Sequence, residues 1–564
     1  MTADTVARAR EWLAQDPDHE TRQELAALLA AAEAGQEEAL AELDDRFNTR
    51  VEFGTAGLRG ALGAGPGRMN RVVVMRAAAG IAAWLHGRLP SSEGVPGRGA
   101  HVVIGYDARH RSEDFARDSA AVLTGAGHRV SVLPGPLPTP VLAFTVRDLR
   151  ADAGIMVTAS HNPPQDNGYK VYVGGEGDEA GAQIVAPVDA DISAAIDAVG
   201  PVADLPLGTG WEVLGEEAVE RYLDAVTALV PEGPRDLSVV YTAMHGVGGR
   251  VLVEAMERAG FARPAVVEAQ FDPDPAFPTV EFPNPEEPGA MDLAMAQAGD
   301  ADLVVANDPD ADRLAVVVPG YGRLNGNEVG GLLAEYVLDR TSGDDRVVAT
   351  TIVSSSLLGK IARARGVRYE ETLTGFKWLA RAGGPGARRV FAFEEAIGYC
   401  IGGDRGRPVA DKDGISAALF TAAMAAEAAK EGRTLGDLLD DQARRYGLHL
   451  SDQLSVRVSD LSLIDAAMRR LRAEPPTEFG PLRVAGVDDF AHGHEGLPPT
   501  DALRFRLEGA AWGRVTLRPS GTEPKLKAYV EVVSDVDGDV GAARERGSEL
   551  LGGLMAAVAE AVGG

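Results

Sequence analysis

Short apolar runs recur along this chain, each followed by a stretch with helical spacing, and that alternation limits the fold more than any other feature. The runs are Val102–Tyr106, Ile155–Val157, Val239–Ala243, Leu303–Ala306 and Val347–Val353. Strands alternating with helices need crossover connections, which predicts parallel sheets built from βαβ units. A length of 564 residues corresponds to about three to four domains. Composition loosens at 200–210, at Asn325-Gly326-Asn327 and at Arg445-Tyr446-Gly447. The expected domains are therefore 1–207, 208–324, 325–446 and 447–564. Beyond residue 447 the alternating patterns at 454–458 and 502–507 come with fewer helices and read as α+β. Residues 3–45 read as a helical pair broken at Asp16-Pro17-Asp18, with Thr21 to Glu24 as a capping box opening the second helix.

In open α/β sheets the carboxyl ends of strands face the ligand crevice. One such end carries Thr158-Ala159-Ser160-His161-Asn162-Pro163-Pro164 directly after the apolar Gly154–Val157. The two prolines forbid a smooth passage into a helix, so the segment is a fixed loop. A serine held there beside a histidine and an asparagine suits a nucleophile or phosphate carrier; the same residues also suit a tight turn. A second strand end runs into Asp308-Pro309-Asp310-Ala311-Asp312-Arg313. Carboxylates at every second position of an extended loop can converge as three hard oxygen ligands, which fits Mg²⁺ with positions left for phosphate or water. An EF-hand is ruled out, because its glycine and distal glutamate are missing. A third segment, Arg518-Pro519-Ser520-Gly521-Thr522-Glu523-Pro524-Lys525-Leu526-Lys527, offers an arginine fork, a glycine turn, two hydroxyls and Lys527 to an anion.

Composition narrows the partners. There are 55 basic and 84 acidic residues, a net charge of −29, with no basic cluster, which argues against nucleic acid. That field repels anionic ligands, so arginines, lysines and a cation must reverse its sign locally. Cys400 is the only cysteine, which excludes an intrachain disulfide, suits a reducing cytoplasm and marks Cys400 as a packing residue. The longest apolar stretch, 415–426, is too short to span a bilayer, and the first thirty residues lack an apolar signal core. The expectation is a soluble cytoplasmic protein with no membrane partner; nothing in the sequence reports on oligomeric state.

Taken together, the three loops resemble the α-D-phosphohexomutase superfamily of phosphoglucomutases and phosphomannomutases, over essentially the whole chain. Thr158 to Pro163 match the family's Thr-Ala-Ser-His-Asn-Pro. Asp308, Asp310, Asp312 and Arg313 match its Asp-Gly-Asp-Gly-Asp-Arg, with Pro309 and Ala311 as spacers, and Arg518 to Pro524 match Arg-x-Ser-Gly-Thr-Glu-Pro. Glu52 to Gly60 and Phe393 to Tyr399 look most like the branch containing phosphoglucomutase-2 and phosphopentomutase. The resemblance implies four domains around a central cleft: three similar α/β domains with mixed, mainly parallel sheets and a smaller α+β C-terminal domain.

It also implies a reaction. Ser160 would carry a phosphoryl group, pass it to a small phosphosugar, and regain one from a sugar bisphosphate intermediate such as glucose 1,6-bisphosphate, which also serves as activator. Mg²⁺ would bind Asp308, Asp310, Asp312 and a phosphoserine oxygen on Ser160. Arg59 matches a cleft arginine that would contact the phosphoserine. Lys170 matches a lysine near the transferring oxygen and is a better acid/base or electrostatic candidate than His161, which supports the loop. Arg313 would position the phosphoryl group. Thr374, Gly375, Lys377, Glu394 and Lys412 match sugar- or phosphate-contacting positions, and Arg518, Ser520, Gly521, Thr522 and Lys527 would grip the phosphate that is not transferred. Many hexomutases place serine where this chain has Ala396, so one sugar hydroxyl contact is missing or replaced. The expected activity is interconversion of glucose 1-phosphate and glucose 6-phosphate. Phosphopentomutase, phosphomannomutase and glucose 1,6-bisphosphate synthase are the alternatives; a phosphatase would not need the distal phosphate clamp.

Overall fold

The computed structural model describes residues 3–54, 57–88, 99–457, 461–519 and 525–563. They fall into two compact units, Met1–Pro319 with Gly398–Ile401 and Arg407–Ala423, and Gly320–Ile397 with Gly402–Gly406 and Met424–Gly564.

The first unit opens with three helices, Ala3–Gln15, His19–Glu33 and Glu37–Asn48, not a pair. The extra break comes at Gly35, whose φ of +83° is a left-handed conformation that glycine adopts without steric cost. The second helix starts earlier than the Thr21 box predicts. Asp18, in extended conformation, accepts a hydrogen bond from the Glu20 amide at 2.9 Å and is the cap, while the Thr21 hydroxyl donates to Asp16 at 2.7 Å.

Next comes a six-stranded sheet in the order Leu58–Ala61, Asp166–Val173, Ala153–Val157, His101–Tyr106, Arg129–Pro136, Glu212–Val213. The last four run parallel, and 166–173 and 58–61 are antiparallel to their neighbours. Residues 153–157 are all buried, as expected of a strand covered on both faces. From 101–106 the chain passes to 129–136 on one side and returns to 153–157 on the other. That reversal makes the paired ends Tyr106 and Val157 a topological switch point, where such sheets bind ligands. A second sheet of this unit sets Leu303–Ala306 parallel to Val239–Thr242 and antiparallel to Ala315–Val318.

In the second unit, Arg346–Thr351 lies parallel between Arg368–Thr372 and Arg388–Glu394. Its C-terminal part is a six-stranded antiparallel sheet, backed by helices Leu461–Ala473 and Val540–Gly563. Strand Trp512–Pro519 shows why the pleat matters: Val515 and Leu517 enter the core, while Arg514, Thr516 and Arg518 share the opposite face. Arg514 meets Glu531 at 2.8 Å and Glu371 at 3.3 Å, and Glu531 also accepts from the Ser355 hydroxyl at 2.5 Å and the Ser356 amide at 2.9 Å. Burial opposes the Glu531 charge most strongly, but Arg514, His449 and the hydrogen bonds from Ser355 and Ser356 together outweigh it and hold the carboxyl below its usual range. Glu531→Gln leaves a buried guanidinium short of one partner and should cost about 3 kcal/mol, read as a lower urea midpoint at unchanged slope. A stability equal to wild type would mean the pair contributes nothing.

Candidate active site

Ser160 stands just past the strand 153–157 with φ +53°, a left-handed conformation for a residue with a side chain. Such strain persists only where surrounding contacts over-determine it. The Ser160 amide donates to the Thr158 hydroxyl at 2.9 Å, and its own hydroxyl donates to Asp308 Oδ2 at 2.9 Å. His161 Nδ1 lies 3.2 Å from Ser160 Oγ. Burial, then Arg313, Arg59 and Lys412, drive the His161 pKa well below its ordinary value. The ring is therefore neutral and a weak base.

The second strand end brings the carboxylates. Asp308, Asp310 and Asp312 are fully buried, and one oxygen from each lies within 4.8 Å of the others. Their loop is held from several sides. Tyr241 donates to Asn307 at 3.0 Å, Asn307 to the Arg313 carbonyl at 2.6 Å, and the Arg313 amide to Asp308 at 3.1 Å. Thr139 donates its amide to the Asp310 carbonyl at 2.9 Å and its hydroxyl to the side chain at 2.5 Å. Ala311 takes φ +54° at one of the two spacer positions where the family loop carries glycine.

A buried cluster of three carboxylates repels itself unless cations face it. Lys170 Nζ sits 2.7 Å from Asp310 and 3.0 Å from Asp312, and Lys412 Nζ sits 3.1 Å from Asp312. Burial opposes the Lys170 charge, yet Asp310 and Asp312 outweigh it and raise its pKa, so it keeps its proton. Burial and then the neighbouring Asp310 and Asp312 push Asp308 up to about 8, whereas Lys170 and Lys412 hold Asp312 low. Asp310 Oδ1 and Asp312 Oδ1 are buried and accept no hydrogen bond. Orphaned, hard, anionic oxygens at this spacing fit a divalent cation such as Mg²⁺.

Arg59, on the edge strand 58–61, reaches the Asn162 side chain at 3.1 Å, and Arg313 lies 3.5 Å from Glu286. Lys412 is fixed by its neighbours. Asp411 accepts from Tyr172 at 3.0 Å and Gln183 at 2.8 Å, and Asp413 accepts from Tyr222 at 2.9 Å. This segment packs in the first unit, so Lys412, grouped by the sequence with the sugar contacts, stands among the carboxylates.

The other expected residues are in the second unit. Glu394 ends the strand 388–394, and Thr374, Gly375 and Lys377 surround the start of the short helix Phe376–Leu379. Arg518 pairs across the sheet with Lys527 and hydrogen-bonds the Tyr529 hydroxyl, whose pKa is raised by burial and then by Glu395 and, more weakly, Glu394. Arg518 and the Glu394-Glu395 turn thus share one neighbourhood. Ser520, Gly521 and Thr522 lie outside the described residues, as do Thr55 and Ala56. Sequence reasoning missed Thr139 and Arg109; the only signal for Arg109 was its place after the strand 101–106, beside the serine loop.

Four segments match the phosphoglucomutase/phosphomannomutase family: alpha/beta/alpha domain I over residues 50–201, domain II over 220–322, domain III over 325–446, and the C-terminal domain over 454–546. The chain is 45% identical to a probable phosphomannomutase of Haemophilus influenzae over 473 residues, covering 82% of this chain and 93% of that one. It is 36% identical to a Staphylococcus epidermidis phosphoglucomutase (88% and 93% covered) and 34% identical to mouse phosphopentomutase (94% and 91% covered). Among solved structures, a candidate phosphomannomutase from Thermus thermophilus superposes with a TM-score of 0.69 at 26% identity, over 92% of this chain and all of that one. With all four domains matched in order, the chain belongs to the phosphoglucomutase/phosphomannomutase family of the α-D-phosphohexomutase superfamily, whose members are phosphomutases, that is, intramolecular phosphotransferases.

Proposed function

We propose that this protein interconverts glucose 1-phosphate and glucose 6-phosphate through a phosphorylated Ser160 and a glucose 1,6-bisphosphate intermediate. The observation that carries the reading is Ser160 Oγ, hydrogen-bonded to Asp308 within a buried cluster of three carboxylates, two lysines and Arg313. Phosphoryl transfer needs alignment and neutralisation of spreading charge more than covalent chemistry. Asp308, Asp310 and Asp312 would hold a Mg²⁺ ion that supplies that neutralisation. Lys170 keeps its proton and serves as a charged hydrogen-bond donor near the transferring oxygens. Arg59 and Arg313 orient the phosphoryl group, and neutral His161 steadies the loop. The phosphoryl leaves Ser160 Oγ for the free sugar hydroxyl, whose proton passes to Ser160 Oγ; the bisphosphate turns, and its other phosphoryl returns to Ser160 as that proton goes to the sugar oxygen left behind. A single buried cysteine accords with a cytoplasmic setting.

Sugar choice rests with Glu394, Thr374, Gly375 and Lys377. A pentose reading has its own support, because Ala396 lacks the serine hydroxyl of many hexomutases and mouse phosphopentomutase aligns with 94% of the chain. Initial rates with glucose 1-phosphate, mannose 1-phosphate and ribose 1-phosphate separate the readings. The highest kcat/KM should belong to glucose 1-phosphate; a higher value for either other sugar overturns that assignment. Net release of glucose 1,6-bisphosphate in place of isomerisation would mark a synthase.

Arg518 would anchor the phosphate that is not transferred, together with Ser520, Gly521, Thr522 and Lys527. A charge-assisted hydrogen bond contributes about 1.5–3 kcal/mol, so Arg518→Ala should raise KM at least about tenfold. Because remote binding also aligns the reacting end, kcat should fall as well. Unchanged KM and kcat would remove the anchor from the account.

A further inference from the structure

We propose that Arg109 is the positioning residue that holds Ser160 in its reactive geometry, with Phe277 as its backing; the proposal rests on the phosphoserine reading above. Arg109 is 4% exposed and lies just past the strand 101–106, at the switch point where that strand pairs with 153–157. Its guanidinium reaches four main-chain carbonyls of the serine loop. Nη2 donates to Ser160 at 2.7 Å and Asn162 at 2.5 Å, and Nη1 donates to Pro163 at 2.8 Å and Asp166 at 3.1 Å. These carbonyls enclose the whole turn that places Ser160 at φ +53°.

The arginine is itself fixed. Asp107 faces its Nε at 3.4 Å and accepts its amide at 3.0 Å and the Ser112 hydroxyl at 2.6 Å. On its other side the Phe277 ring stacks at 4.9 Å. Phe277 belongs to the proline-rich loop 272–288 of the stretch that also carries the Asp308 loop. That loop is tied down where the Asp274 amide donates to the His245 carbonyl at 3.0 Å and where His245 Nε2 lies 2.8 Å from Thr279 Oγ1. Arg109 therefore joins the element carrying Ser160 to the stretch carrying Asp308, and sets the 2.9 Å approach between them. A planar fork with five donors can span four carbonyls at once; an ammonium on a flexible stem cannot. Because the guanidinium reaches carbonyls and not Ser160 Oγ, it acts through the loop.

The test is Arg109→Lys in the full-length enzyme, with Arg109→Ala alongside. Misplacement of a reacting group by about 1 Å can cost about 10²-fold, so kcat of Arg109→Lys should fall on that order while KM for the sugar monophosphate changes little. Added guanidinium ion should restore part of the lost kcat in Arg109→Ala, and ammonium at equal concentration should not. Phe277→Leu keeps the apolar cover without the π face, and should lower kcat in the same direction by less. A folded Arg109→Lys enzyme with wild-type kcat, a loss confined to KM, or equal rescue by ammonium would each overturn the proposal. If both arginine variants fail to fold, a wild-type kcat in Phe277→Leu overturns it. Ser160→Ala measured in parallel keeps the two ideas apart. Activity surviving there removes the phosphoserine reading, whereas an inactive Ser160→Ala beside a full-rate Arg109→Lys removes only the positioning role.

Discussion

Ser160→Ala is expected to lower mutase turnover by about 10⁴-fold or more, as loss of a covalent nucleophile does elsewhere. The variant removes one oxygen, and the surrounding structure gives little reason for collateral damage. The Ser160 amide still reaches Thr158, and the loop carbonyls still reach Arg109. What is lost is the acceptor of the phosphoryl group. KM for the sugar monophosphate should stay close to wild type, because its contacts are assigned to Arg518, Glu394 and their neighbours. Circular dichroism and thermal unfolding should match wild type. Near-full turnover in a folded Ser160→Ala enzyme is incompatible with the mechanism.

Removal of divalent cation should abolish turnover, and Mg²⁺ should restore it in preference to softer ions, because every oxygen in the triplet is hard. Asp310→Asn keeps the size of the side chain and the hydrogen bond from Thr139, but deletes one negative charge. Outer-shell changes alone weaken metal binding by about 10–100-fold, so this ligand change should cost at least about 100-fold, measurable by calorimetric titration of Mg²⁺. Excess Mg²⁺ should recover part of the rate. Lys170 loses one of its two carboxylate partners in the variant, so recovery should stop short of wild type. Full turnover after exhaustive chelation would contradict this assignment.

Much of the catalytic unit was legible in the sequence, for a physical reason. Buried parallel strands must be continuous apolar runs, so Ile155–Val157 and Leu303–Ala306 announced themselves and their polar sequels fell at the crevice. Alternate aspartates converge because of local backbone geometry, and that too is written in spacing. What depends on long-range packing was not readable. Arg109 contacts residues 51 to 57 positions away, and no local pattern distinguishes a guanidinium bound to carbonyls from one in solvent. Lys412 lies far along the chain from Asp312, and long-range contacts place it there: Asp411 and Asp413 are anchored on Tyr172, Gln183 and Tyr222, and the Gly414 amide donates to the Ala311 carbonyl at 3.2 Å. At the N-terminus a left-handed glycine divided an apparently continuous helical stretch, which composition rich in Ala, Glu and Leu concealed.

The phosphorylated serine is the central claim, and peptide mapping by mass spectrometry before and after substrate tests it most directly. Protein charged with glucose 1,6-bisphosphate should carry one phosphoryl group on the peptide containing Ser160. If that phosphoryl group is isotope-labelled, brief exposure to excess unlabelled glucose 1-phosphate should move the label into the sugar phosphate while Ser160 is recharged with unlabelled phosphate, at a rate no slower than turnover. A fully active enzyme that never carries phosphate on Ser160, or whose phosphate exchanges more slowly than product forms, would contradict the account.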